Sequence, residues 1–280
     1  MADNVGWAGS RQPKLIRPPL VYREACASML AFAILMVLAL DILVSMLALP
    51  AATTVIALLI HALMSSLALA KLGTYPHRHF GLANMTTAFR AALTAAIGGI
   101  VLAAATLPAA PVVLWTIAAA AAVGLALDGL DGMLARRNGT VSRYGARFDM
   151  EVDALLILLL AMAVYLFETA GAWVLLIGLM RYAFLAAQAG LKSMRGELPE
   201  SIRRKVICVV QGAALCLALV PLIHPALQNV LLAVALISLV YSFTADIAHL
   251  LRNYAPTRSV GISSSSASDG SHEHQRKQLW

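Results

Sequence analysis

Charge is scarce in this 280-residue chain. Asp, Glu, Lys and Arg make up 12% of it, against roughly a quarter in soluble globular domains. Together with a 60% hydrophobic content, that scarcity excludes an ordinary soluble fold. Apolar runs of about 20 residues, the length that crosses a hydrocarbon core, recur along the chain. It reads as an all-α polytopic membrane protein with no room for a second folded unit. Cysteine is scarcer still. Cys26, Cys208 and Cys216 form no paired motif and lie in or beside apolar segments. They read as small core residues, which leaves out a disulfide framework and a thiolate metal centre. The net charge of +7 does not point to nucleic acid, because the basic residues sit at the ends of apolar runs. Their natural partners are the anionic headgroups of a lipid bilayer.

The pattern predicts eight spans, at 26–49, 53–70, 85–107, 111–135, 148–168, 172–191, 203–220 and 227–251. The odd connections (LPAA, LPAAP, ETAGA, IHPALQ) carry no Lys or Arg, whereas the even connections and both termini carry nearly all of them. Basic residues stay in the cytoplasm, so both termini and every even loop are expected there, in a multi-pass protein of a bacterial inner membrane. The first apolar run is longer than the usual h-region of about 7–15 residues, which favours a retained helix over a cleaved leader. Asp41 and His61 each lie about nine residues from the first turn; equal depth predicts a hydrogen bond between them. The Ser-rich tail 253–280 has no apolar period and is expected to be disordered, with His272 and His274 solvated rather than metal-binding.

One segment breaks the apolar pattern. DGLDGMLARRNGTVSRYGARFDMEVD, Asp128 to Asp153, holds four aspartates, four arginines and four glycines. At 3.6 residues per turn Asp128, Gly129, Asp131, Gly132, Ala135 and Arg136 lie along one face, and Asp149 and Asp153 are one turn apart on the next helix. A short basic loop makes the two helices antiparallel neighbours, so the four carboxylates converge at the cytoplasmic membrane surface. Like charges at that depth need a counter-ion. An all-oxygen donor set favours Mg2+ or Mn2+, and four carboxylates suffice for two ions about 3.5–4 Å apart around a phosphoryl group. Small residues leave the helix face open to a ligand, and Arg136 offers a fork for phosphate oxygens.

The spacing D-x2-D-G-x2-A-R-x8-G-x3-D-x3-D resembles the signature of the CDP-alcohol phosphotransferase family at every fixed position: Asp128, Asp131, Gly132, Ala135, Arg136, Gly145, Asp149 and Asp153. The resemblance implies a six-helix core, two divalent metals, a CDP-linked donor, release of CMP and a homodimer. It carries the four aspartates over as metal ligands, with Asp153 also the base that deprotonates the acceptor hydroxyl, and Gly132, Ala135, Arg136 and Gly145 as the CDP site. NMTTAFR resembles a family pattern near the nucleotide, through Asn84, Thr87 and Arg90. Arg181 and IRRKVICVVQ, with Arg204, Lys205 and Gln211, resemble the family's acceptor pocket, although orientation alone explains Arg203 and Lys205. The resulting division is a basic N-terminus (1–25), an extra transmembrane hairpin (26–80), the core (81–252) and the tail.

The expected reaction moves a phosphatidyl group from CDP-diacylglycerol to a small polar alcohol, with a phosphorylated alcohol such as glycerol 3-phosphate mildly favoured by the basic acceptor-side residues. The signature equally admits the reverse arrangement, in which a CDP-aminoalcohol gives its head group to diacylglycerol. A transporter would more naturally place its carboxylates near the midplane, and an aromatic prenyltransferase would separate its two Asp-rich motifs widely.

Overall fold

The computed structural model describes residues 19–104, 110–137, 142–191 and 201–253, with the side chains of 19, 130–137 and 202 outside the description. Eight helices follow one another: α1 (Pro19–Leu47), α2 (Ala52–Lys71), α3 (Gly81–Ala104), α4 (Pro111–Arg137), α5 (Arg143–Leu166), α6 (Leu175–Gly190), α7 (Ile202–Ala218) and α8 (Pro225–Asn253). Single 3-10 turns follow α2 and precede α6, and the described residues contain no strand. Both termini beyond these bounds, and with them His272 and His274, lie outside the described residues.

Six of the eight helices are long and apolar enough to cross a membrane; α5 and α7 are not among them. The reason is local. The first eleven residues of α5 include Arg143, Arg147, Asp149, Glu151 and Asp153, and α7 has 17 residues and places Arg203, Arg204 and Lys205 in its first turn. Both are held by protein: α5 packs on α3, α6 and α7, and α7 on α4, α5 and α8. The outer surface is apolar, with Leu38, Ile42, Leu59, Leu63 and Ile237 all well exposed, as a lipid-facing surface requires.

The α1–α2 hairpin docks on α3 through small residues. A Cβ on Gly99 would stand 2.5 Å from the Thr53 carbonyl oxygen and 2.8 Å from Ala57 Cβ, so only glycine admits this approach. A second apolar cluster, around Val21, Met29, Ala68, Phe80, Tyr144 and Val152, ties α1 and α2 to the beginnings of α3 and α5. The expected Asp41–His61 bond is not formed. His61 Nε2 instead meets the Met29 carbonyl at 3.1 Å and Ser65 Oγ at 3.3 Å. Met29 lies twelve residues, about 18 Å of helix, before Asp41. Equal distance from the turn did not mean equal depth, because α1 runs past the start of α2. Asp41 is on the exposed face of α1.

Candidate active site

Ser142 starts α5. Its backbone is extended and its Oγ accepts from the Gly145 N–H at 3.0 Å, satisfying one of the free donors of the first turn. The helix so begun presents Asp149 and Asp153 one turn apart, toward the C-terminal half of α4. There Asp128 completes a cluster: one carboxylate oxygen from each of Asp128, Asp149 and Asp153 lies within 4.8 Å of the others.

Arg90 of α3 occupies the centre of this cluster. Its side chain is 1% exposed, and its Nη1 donates to Asp128 Oδ1 at 3.1 Å. Nη1 also donates to Asp149 and Nη2 to Asp153, while Nε donates to the Gly124 carbonyl at 3.1 Å. Three carboxylates face one guanidinium, so these four groups carry two negative charges in excess. With the aspartate side chains 20–32% exposed, water offsets part of this excess and further positive charge would offset the rest. All the converging donors are carboxylate oxygens, with neither imidazole nor thiolate in the set. This chemistry fits a hard divalent cation.

The remaining signature residues divide in two. Asp131, Gly132, Ala135 and Arg136 are on the α4 helix, but their side chains fall outside the described residues. Gly145 is described. A Cβ there would stand 2.9 Å from Asn84 Oδ1 and 3.2 Å from Ser142 Oγ. Of the three α3 residues, Arg90 reaches the carboxylates. Asn84 stands beside Gly145 with its Nδ2 donating to the Phe80 carbonyl at 2.6 Å. Thr87 is buried and its hydroxyl donates back to Ala83 at 3.1 Å. Next to Gly145, burial pushes the Tyr144 phenol far above its usual range, with Tyr75 and Tyr22 adding to the effect; it stays neutral.

Below the aspartates lies a cavity of about 30 Å3 lined by Leu125, Asp128, Asp153, Leu156, Ile157, Cys208 and Val209. It brings α7 to the site. Arg181 pairs with Glu151 at 3.3 Å. Arg204 lies 3.7 Å from Asp246, which also binds Arg203. Lys205 is exposed, and Gln211 is buried with its Nε2 unpartnered among the described residues. All three cysteines are free; Cys216 donates to the Ala118 carbonyl and Cys208 lines the cavity. The sequence reading passed over Asp246, Glu151 and Glu24. The available signal was an acidic residue within or at the mouth of an apolar helix, which rarely stands there without a partner.

A family model described as CDP-alcohol phosphatidyltransferase matches residues 80–241, from the residue before α3 to the middle of α8. No curated protein and no solved structure matches the chain.

Proposed function

The chain belongs to the CDP-alcohol phosphatidyltransferase family, transferases of phospholipid synthesis, and from that premise we propose that it moves a phosphatidyl group from CDP-diacylglycerol to a small polar alcohol and releases CMP. Its apolar helices make it an integral membrane protein. The observation that carries the reading is the convergence of Asp128, Asp149 and Asp153 around Arg90. These carboxylates, joined by Asp131, would hold two Mg2+ or Mn2+ ions. When bound, such ions polarise the phosphoryl group and neutralise charge on the departing CMP.

The chain's own residues do the rest. Asp153 takes the proton of the acceptor hydroxyl. The hydroxyl oxygen forms a bond to the phosphorus that carries diacylglycerol, and the bond from that phosphorus to the bridging oxygen of CMP breaks. Gly145, with Gly132, Ala135 and Arg136, forms the CDP face, walled by Asn84 and Thr87. Arg90 holds the carboxylates together in the meantime. Arg181, Arg204, Lys205 and Gln211 receive the acceptor, and the positive charge of the three basic residues supports a phosphorylated alcohol such as glycerol 3-phosphate. The site lies at the cytoplasmic ends of α4 and α5, where one substrate arrives from lipid and the other from water. The α1–α2 hairpin is an addition to the core, and both termini are cytoplasmic, in a bacterial inner membrane.

The test is incubation of purified protein with Mg2+, CDP-diacylglycerol and a panel of alcohols, followed by assay of CMP and the lipid product. One alcohol is expected to yield both. If CMP appears only with CDP-choline or CDP-ethanolamine and diacylglycerol, the donor is reversed. CMP from no combination overturns the reading.

A further inference from the structure

The hairpin that precedes the family-matched segment packs on it through apolar contacts and also makes a polar contact, at Phe80. Glu24, in the second turn of α1, places Oε2 2.8 Å from the Phe80 N–H and Oε1 2.8 Å from His79 Nδ1. Phe80 is the first matched residue and immediately precedes α3. Its carbonyl is held as firmly as its N–H, accepting from the Tyr75 hydroxyl at 3.2 Å and from Asn84 Nδ2 at 2.6 Å. Its ring is 1% exposed. Gly81, next in the chain, has φ +77°, a conformation natural to glycine. The main chain at this corner therefore owes its path to side-chain anchors as well as to helix geometry. Downstream, Asn84 Oδ1 stands where a Cβ on Gly145 would come within 2.9 Å.

We propose that Glu24 is a positioning residue for the CDP site: its carboxylate fixes the Phe80 main chain, from which Asn84 is hung against Gly145. This rests on the reading above that Asn84 and Gly145 wall the CDP face. The hairpin is then a working part of the enzyme and more than a membrane anchor. A carboxylate bound to a main-chain N–H makes a short, strong contact, and Phe80 passes it to Asn84 within one helical turn.

The test uses the full chain and Glu24→Ala, Glu24→Gln, Glu24→Asp, Asn84→Ala and the Glu24→Ala/Asn84→Ala double variant, measuring KM for CDP-diacylglycerol, KM for the acceptor and kcat. Glu24→Ala is expected to raise the donor KM about tenfold with the acceptor KM unmoved, as loss of one charge-assisted contact would. Glu24→Gln keeps an oxygen for the Phe80 N–H and is expected to restore the donor KM to within about twofold. Its effect, and that of His79→Ala, measures the imidazole contact alone. In the Asn84→Ala background the Glu24→Ala increment should vanish, since coupled residues are not additive. Should Glu24→Ala fail to fold, Glu24→Asp, too short by one methylene to reach both partners, carries the same expectation. A donor KM raised by Asn84→Ala but by no Glu24 variant overturns the inference and leaves the CDP face as assigned. A donor KM unmoved by Asn84→Ala overturns that assignment itself. A lowered melting temperature in Glu24→Ala with unchanged KM values reduces Glu24 to a structural tie, which also overturns the inference.

Discussion

Arg90 bears the charge balance of the site. With one guanidinium touching Asp128, Asp149 and Asp153, its removal leaves three converging carboxylates without their common partner. Because the aspartate side chains are 20–32% exposed, the cost falls below that of a fully buried pair, about 2–3 kcal/mol. Arg90→Ala should therefore melt well below the parent in chelator. Saturating Mg2+ should recover more of the loss than the same Mg2+ adds to the parent, read by thermal melts in detergent with and without the cation. Equal Mg2+ shifts in both proteins would mean that Arg90 and the cation serve different charges. Asp153→Asn tests a different property of the same cluster. The amide keeps an oxygen for Arg90, so the fold should survive, but it cannot take a proton. Turnover should drop about a thousandfold or more with the melting temperature little changed; near-normal turnover removes Asp153 as the base. The aspartate signature was legible because its four carboxylates fall within 26 consecutive residues. The place of Arg90 among them was not, since 38 to 63 residues separate it from its partners. The same distance in sequence hid the Asp246 contacts with Arg203 and Arg204 and the Glu24 contact with Phe80.

At the scale of the helices, the apolar runs located all eight elements, and most errors lie at their ends. The sequence reading began the first helix at Cys26, where the charges stop, but α1 starts at Pro19. Its first turns carry Arg23 and Glu24, so hydropathy does not register them as part of the helix, and Glu24 finds a tertiary partner there. The third helix likewise begins at Gly81 rather than Met85, on the corner that Glu24 and Tyr75 secure. What no periodicity shows is how closely two helices approach. Gly99 sets that distance for α2 and α3, with the Thr53 carbonyl 2.5 Å from where a methyl group would stand. Backbone cannot turn aside as a flexible side chain does. Gly99→Ala should push α2 outward and cost about 1–3 kcal/mol, measured as a lower melting temperature. Gly129, which has nothing within 4 Å of such a methyl, is the control for space alone, and Gly129→Ala should leave the melting temperature at or above that of the parent. If Gly99→Ala melts no lower than that control, the α2–α3 contact yields more readily than its geometry indicates.

For the whole molecule the open matter is the path through the bilayer, since α5 and α7 are not among the six helices that qualify as spans by length and apolarity. Tags on the two termini do not decide it. With both helices crossing, the chain passes eight times; with neither, six; in either case its ends lie on the same side. The two paths differ only between α5 and α7. If α5 crosses, the turn at Thr169 is external and Ser201, before α7, is cytoplasmic. If neither crosses, the two exchange sides. Physical chemistry favours the longer path. The 24 residues of α5 extend about 36 Å, beyond the roughly 30 Å of hydrocarbon. Its charges are gathered at the end that carries the aspartates, while its other half supplies Leu156, Leu160 and Val164 to the core. The shorter path would also put Lys192, Arg195, Arg203, Arg204 and Lys205 on the outer side, against the tendency of basic residues to stay in the cytoplasm, and would separate the residues of α7 proposed to receive the acceptor from the aspartates. In a variant freed of Cys26, Cys208 and Cys216, a cysteine at Thr169 should accordingly react with a membrane-impermeant maleimide in intact cells, and one at Ser201 only after permeabilisation. The opposite pair of results would establish the six-pass path and take α7 away from the chemistry assigned to it.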